Sequence, residues 1–256
     1  MSALLATWRA ALAEVWVNRS AFGLQLGIMI TNDLIWLFFW NVFFSRAGGL
    51  DGWHLQQVLV LFSIATATFG ITSGMFGNCL RITEMAANGE LDSTLTMPVD
   101  PLSHLLVRKV VPLNLGDLVF GTSLFLIAGH PTPDRLAKWI AVVLLGSAVQ
   151  TAFVVIVSAL SMMLRGRGDH PRLAFDMLSI VSFYPVGIFG GLAKVLTFTV
   201  LPAAFVTGIP SRLLVEFSWF DLGVLTMVAI GTALAARVAF QLALRGYRSG
   251  SQFTSA

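Results

Sequence analysis

Residues 55–79 read LQQVLVLFSIATATFGITSGMFGNC. The whole stretch passes without a charged side chain, and its apolar residues show no polar face at helical period. A hydrocarbon core of about 30 Å, climbed at about 1.5 Å per residue, needs roughly 20 such residues. The stretch therefore reads as a membrane-spanning helix. Its glycines at 70, 74 and 77 include one G-x-x-x-G spacing, which lets helix backbones approach closely.

Working outward, five further stretches have the same character: 22–44, 110–128, 137–164, 173–191 and 220–243. Composition agrees. Of 256 residues, 56% are hydrophobic and 11% charged, against roughly 25% charged in an average soluble domain. A soluble chain of this size has nowhere to put so much apolar surface. The fold class is all-α: a polytopic membrane protein with six transmembrane helices, forming one transmembrane domain over 1–256.

The net charge of +3 sits in short loops, where it reads as a topology signal and excludes a nucleic-acid partner. Eleven Lys/Arg fall on one side: Arg9, Arg19, Arg81, Arg108, Lys109, Arg165, Arg167, Arg172, Arg237, Arg245 and Arg248. Five fall on the other: Arg46, Arg135, Lys138, Lys194 and Arg212. The richer side is expected to be cytoplasmic, which puts both termini there. Cys79 stands alone, so no internal disulfide forms; it is expected to pack as a small hydrophobe. The N-terminus lacks the order of regions that marks a cleaved signal peptide.

Two segments depart from simple spans. In 1–19, Leu4, Leu5, Trp8, Ala11, Leu12, Val15 and Trp16 keep helical spacing, as in a helix lying on the membrane with Trp anchors. The alternative is an extension of the first span. Residues 192–218 are apolar but interrupted by Pro202, Gly208 and Pro210, after Pro185, Gly187, Gly190 and Gly191. A seventh crossing there would move Arg237, Arg245 and Arg248 outside, so the segment is read as external re-entrant helices. Broken backbone at membrane depth is tolerated only where protein or a water-lined cavity covers it.

The sequence is informative in what it lacks. It has no G-x-x-x-x-G-K-[ST] phosphate loop, no H-E-x-x-H and no G-x-S-x-G. His54, His104, His130 and His170 are scattered over separate loops. No catalytic, cofactor or metal site is therefore expected. Asp33, beside Asn32, falls inside the first span, and Asp117, with Asn114, inside the third. A carboxylate in a span costs a few kcal/mol, about 2.5–3.5 on insertion scales, and turns to the bundle interior or a cavity. Two readings stay open: a proton or cation relay, or interhelical hydrogen bonds that fix packing.

The longest hydrophilic stretch, 81–109, contains Glu84, Asn88-Gly89, Glu90-Leu91-Asp92, Leu95, Pro98 and Pro101. It reads as a short helix ended at Asn88-Gly89, then a second one opened by acids that suit its dipole and stopped by the prolines. Leu91 and Leu95, at i and i+4, share a face. Such a pair either packs on the bilayer or projects as a docking knob.

At these residues the chain resembles the permease subunits of ABC-2-type transporters, in its compact six-span subgroup. The matching pattern is an acidic residue followed by Gly-x-Leu-Asp-x-x-Leu-x-x-Pro: Glu84, Gly89, Leu91, Asp92, Leu95 and Pro98, with Glu90 in the variable place. Two further tracts are similar to that subgroup. One runs from Tyr184-Pro185 through Pro202 and Phe205 to Ile209-Pro210; the other is the tail 245–251. The resemblance implies a non-catalytic half-transporter of a bacterial inner (plasma) membrane, paired with a second permease, identical or a sister subunit. Separate ABC ATPase subunits would bind the ATP and Mg and receive 84–98 as a coupling helix. The pathway or permease interface would draw on Asn32, Asp33, Asp117, Tyr184, Pro185, Pro202 and Phe205. Broad apolar spans favour a lipid- or drug-like cargo. The other classes are a secondary transporter or channel using Asp33 and Asp117, and a membrane scaffold without transport.

Overall fold

A computed structural model describes residues 2–47, 52–164 and 169–247. Among them the regular elements are all helices, with no strand. Helix α1 (Ser2–Val15) turns at 16–18 into α2 (Arg19–Ala47). Next, α3 (Leu55–Phe69) runs on as a π-helical turn (Gly70–Met75) and a 3-10 turn (Gly77–Arg81). Three short helices follow: α4 (Ile82–Ala87), α5 (Leu91–Leu95) and α6 (Pro101–Val107). Then come α7 (Leu115–Ala128), α8 (Pro133–Met163), α9 (His170–Ser182) and α10 (Gly191–Thr199). A second π-helical turn (Ala204–Gly208) leads into α11 (Ile209–Val215), and α12 (Trp219–Arg245) closes the described chain.

The long helices start where local chemistry dictates. Thr132 caps α8 by accepting from the Arg135 amide at 3.2 Å, with Pro133 at the first helical position. Ser218 caps α12 in the same way, accepting from the Asp221 amide at 3.3 Å. Such caps satisfy amides that no helix can satisfy for itself.

Four helical stretches are long and apolar enough to cross a membrane: Arg19–Arg46, Leu55–Met75, Pro133–Met163 and Trp219–Arg245. A fifth exists if α10 and the 204–215 stretch, bent by 78° to one another, count as one. Two of the six expected spans are shorter than the sequence suggests. For 110–128 only α7 is a regular helix, 14 residues long. The preceding backbone turns at Pro112, whose carbonyl accepts from Leu115. For 173–191 the helix is α9, which ends at Ser182 before Pro185 and carries an exposed Arg172–Asp176 pair at 3.6 Å.

The core is built around α3, whose residues from Val60 to Gly74 are all buried. Helix α7 crosses it at bare backbone. A Cβ on Gly121 would meet Thr66 Oγ1 at 2.5 Å and the Ala67 nitrogen at 2.6 Å, and one on Gly70 would collide with Leu118. Gly74 sits 3.1 Å from Leu115 in the same terms. The G-x-x-x-G spacing is thus used inside the chain. Helix α8 lies against α3, α9 and α12, and Trp139 on it donates to Ser63 Oγ at 3.1 Å. By contrast α2 is peripheral: 6% of its most apolar window is buried.

Helix α1 is separate from α2, the two being broken by a turn at Trp16–Asn18. Its stripe packs partly on the protein: Ala11 and Val15 are buried with Val110, while Leu5 and Trp16 stay exposed.

Candidate functional site

The segment between α3 and α7 is helical and packs one side into the main core. Arg81 pairs with Glu84 at 3.0 Å, which raises the arginine and draws the carboxyl below its ordinary value. Helix α4 closes at Gly89, whose φ of 75° suits glycine. There the Glu90 amide bonds back to the Met85 carbonyl at 2.9 Å, a glycine-type helix stop. Pro101 opens α6 instead of closing α5, with Asp100 as its N-cap. Asp100 Oδ2 accepts from the Ser103 amide at 3.0 Å and from Ser103 Oγ at 2.6 Å, and Oδ1 accepts from Arg237 at 2.9 Å. Burial pushes the Asp100 carboxyl up, but these donors and the Arg237 charge win and hold it low. On α6, burial and the charge of Arg108 lower His104.

The two leucines of the motif do not share an exposed face. Leu91 is 1% exposed and belongs to the main core, beside Met85, Leu102 and Leu105, whereas Leu95 is 39% exposed. Helix α5 is only one turn long and packs on α6, with Leu91 at its buried start and Leu95 at its exposed end. Asp92 also turns inward, accepting from the Tyr247 hydroxyl at 3.0 Å. What faces out is Glu84, Glu90, Leu95, Met97 and Pro98, with Gly89 partly covered at the bend.

The intramembrane acids, far apart in sequence, come together. Asp33 on α2 is 2% exposed and Asp117 in the first turn of α7 is 5% exposed, and their carboxyl groups are close enough to act on one another. No described group donates to Asp33 Oδ2 or Asp117 Oδ1. Asn32 is exposed, and Asn114 donates to the Ser73 carbonyl at 3.2 Å, holding α7 to the first π-helical turn.

The third group of expected residues is divided. Tyr184 packs edge-on to Trp40, ring centroids 5.7 Å apart, and Phe183 stacks on Trp36 at 5.4 Å. Pro185 is buried just beyond. Pro202, also buried, offers its carbonyl to the Phe205 and Val206 amides, and Phe205 meets Phe198 edge-on at 5.6 Å. Sequence reasoning missed Tyr247 and Arg237 as partners of Asp92 and Asp100, which lie 155 and 137 positions away. Of the tail 245–251, and of Arg165, Arg167 and Arg248, positions 165, 167 and 248–251 lie outside the described residues. Among the described residues no group of His, Cys, Asp and Glu could hold a metal ion, and Cys79 is free and buried.

Long apolar helices and buried polar contacts between them define a multi-pass α-helical membrane protein. A family model described as ABC-2 family transporter protein matches residues 30–251, and the chain belongs to that family. No curated protein and no solved structure matches it.

Proposed function

We propose that this chain is the membrane half of an ATP-driven exporter. It crosses the bilayer six times with both termini in the cytoplasm of a bacterial inner membrane, α1 lies at the interface, and 192–218 forms the external re-entrant part. The shorter α7 and α9 then cross with help from their flanking turns. Two such permeases, identical or sister subunits, form the pathway for a lipid- or drug-like cargo, and ABC ATPase subunits supply the energy. The chain is not itself an enzyme; ATP and Mg bind to the partner.

The observation that carries this reading is the outward face of 84–98. Glu84 and Glu90 border an apolar step of Leu95, Met97 and Pro98, the arrangement of a hydrophobic anchor inside a polar rim. Family membership supports an ATPase as its receiver. The anchor is Leu95 with Met97, and Leu91 instead holds the projection to the bundle. The exposed surface of α2, with Leu24, Ile28, Ile35 and Phe38, leaves room for lipid or for the second permease.

Co-expression with an ABC ATPase tests the assignment. The pair Leu95→Ala, Met97→Ala should release the ATPase from the purified complex while the chain stays inserted and folded. Saturable ATP binding by the chain alone, or transport with no ATPase present, would overturn it.

A second reading rests on the juxtaposition of Asp33 and Asp117, which suits a secondary transporter driven by an ion gradient. It predicts gradient-driven flux from the chain alone, lost in Asp33→Asn. Flux that needs ATP and survives that substitution excludes it.

A further inference from the structure

Between the first π-helical turn, α6, α8 and α12 lies a cavity of about 340 Å³. Its walls are apolar over most of their extent: Ile71, Leu102, Leu144, Ala148 and Val155 among them. On α8 the lining runs from Leu144 to Val155, a rise of about 16 Å at 1.5 Å per residue. That is about half of a 30 Å hydrocarbon core. At about 30 Å³ per water-sized group, the volume takes roughly eleven such groups. One acyl chain fits; a two-chain lipid body does not.

One edge of the cavity is charged, and its hydrogen-bonding capacity is lopsided. Asp100 is committed three times over, to the Ser103 amide, to Ser103 Oγ and to Arg237. Arg237 uses one nitrogen of its guanidinium fork on Asp100, and its side chain is 55% exposed against 29% for Asp100. A guanidinium presents five N–H donors and accepts nothing. The unspent capacity at this edge is therefore donor capacity beside an apolar slot, which matches an anionic headgroup joined to a hydrocarbon chain. A cation would find Asp100 already occupied.

We propose that this cavity binds an anionic phospholipid, with one acyl chain between α8 and α12 and the phosphate on Arg237. The inference needs only the membrane setting and stands apart from the ATPase assignment.

The test uses the full chain in vesicles that contain a phospholipid with a photoactivatable group in its acyl chain, in two versions: phosphatidylglycerol and phosphatidylcholine with the same tail. Cross-links are mapped by mass spectrometry. The expected result is preferential labelling of 144–155 and 233–237 by the phosphatidylglycerol probe. Arg237→Gln should bring that labelling down to the phosphatidylcholine level, and Arg237→Lys should retain part of the preference. Asp100→Asn keeps a good helix cap but frees the guanidinium, so it should raise labelling by the anionic probe. Ala148→Phe, or Ala233→Phe at the rim if the former fails to fold, should abolish labelling by both. Equal labelling by the two probes, or the same fall in Arg237→Gln and Asp100→Asn, would overturn the proposal. So would displacement of the lipid probe by inorganic phosphate, which would make the edge a free-anion site.

Discussion

Gly121→Ala adds one methyl group where α7 crosses α3 at bare backbone. The new Cβ would lie 2.5 Å from Thr66 Oγ1, 2.6 Å from the Ala67 nitrogen and 2.6 Å from the Ser63 carbonyl oxygen. Ordinary contact begins near 3.4 Å. Two of the three neighbours are backbone atoms, so no rotamer change relieves them and α7 must retreat by close to an ångström. A gap of 0.5–1 Å forfeits about a quarter to a half of the dispersion well for each contact it opens. In lipid that packing is a main force holding helices together. Overpacking costs about 1–3 kcal/mol, and the gain from replacing a helical glycine returns roughly 0.5–1 kcal/mol. The net expectation is a loss of about 1–2 kcal/mol. Gly27→Ala on α2 has no atom within 4 Å of its Cβ and should show the propensity gain alone. Thermal unfolding of the purified chain at fixed scan rate, followed by tryptophan fluorescence, reads both. At roughly 2–4 °C per kcal/mol for a chain of this size, Gly121→Ala should melt several degrees below the parent and Gly27→Ala slightly above it. A Gly121→Ala midpoint at or above the parent's would refute the close α3–α7 crossing.

Leu91→Ala and Leu95→Ala should separate stability from function. The first empties a buried site and costs about 2–5 kcal/mol, seen as a lower melting point. The second leaves the melting point unchanged but lowers ATPase retention on co-purification. Asp117→Leu should destabilise by about 1–3 kcal/mol, because it strands the buried Asp33 carboxyl. Adding Asp33→Leu should recover part of that loss, and a double-mutant cycle in denaturant gives the coupling. The depressed carboxyl of Asp100 contributes stability above its ordinary value of 3.8 and loses it as pH falls through the lower folded value. The melting-point deficit of Arg237→Gln should therefore be full near neutrality and shrink as pH is lowered past 3.8.

The long helices were legible because a bilayer imposes a length and an absence of charge that a sequence displays directly. The stretches at 22–44 and 220–243 each lie within one helix, and 137–164 runs one residue past the end of α8. Helices α7 and α9 were over-extended because apolar composition continues past Pro112 and Pro185, while the backbone cannot. The ordered segment at 81–109 was legible from Asn88-Gly89 and the prolines. Its facing was not, since period alone cannot say which side of a one-turn helix meets α6. Leu91 and Asp92 turned inward for that reason. The approach of Asp33 to Asp117, and of Arg237 to Asp100, depends on how helices pair in three dimensions, and no local pattern in the sequence reports it.

The Asp33–Asp117 contact also sets a problem of timing during synthesis. Asp117 is made 84 residues after Asp33. At about 5–20 residues per second, the ribosome needs roughly 4–17 s to supply it. Throughout that interval α2, the least apolar of the four long helices, carries an unmatched acid through the insertion machinery. Helix α3 emerges first and touches α2 less extensively than α7 does, so α2 is expected to stay at the translocon until α7 arrives. A nascent chain arrested between residues 60 and 110 would then keep α2 within reach of cross-linking to the channel. One arrested well beyond 128 would have released it.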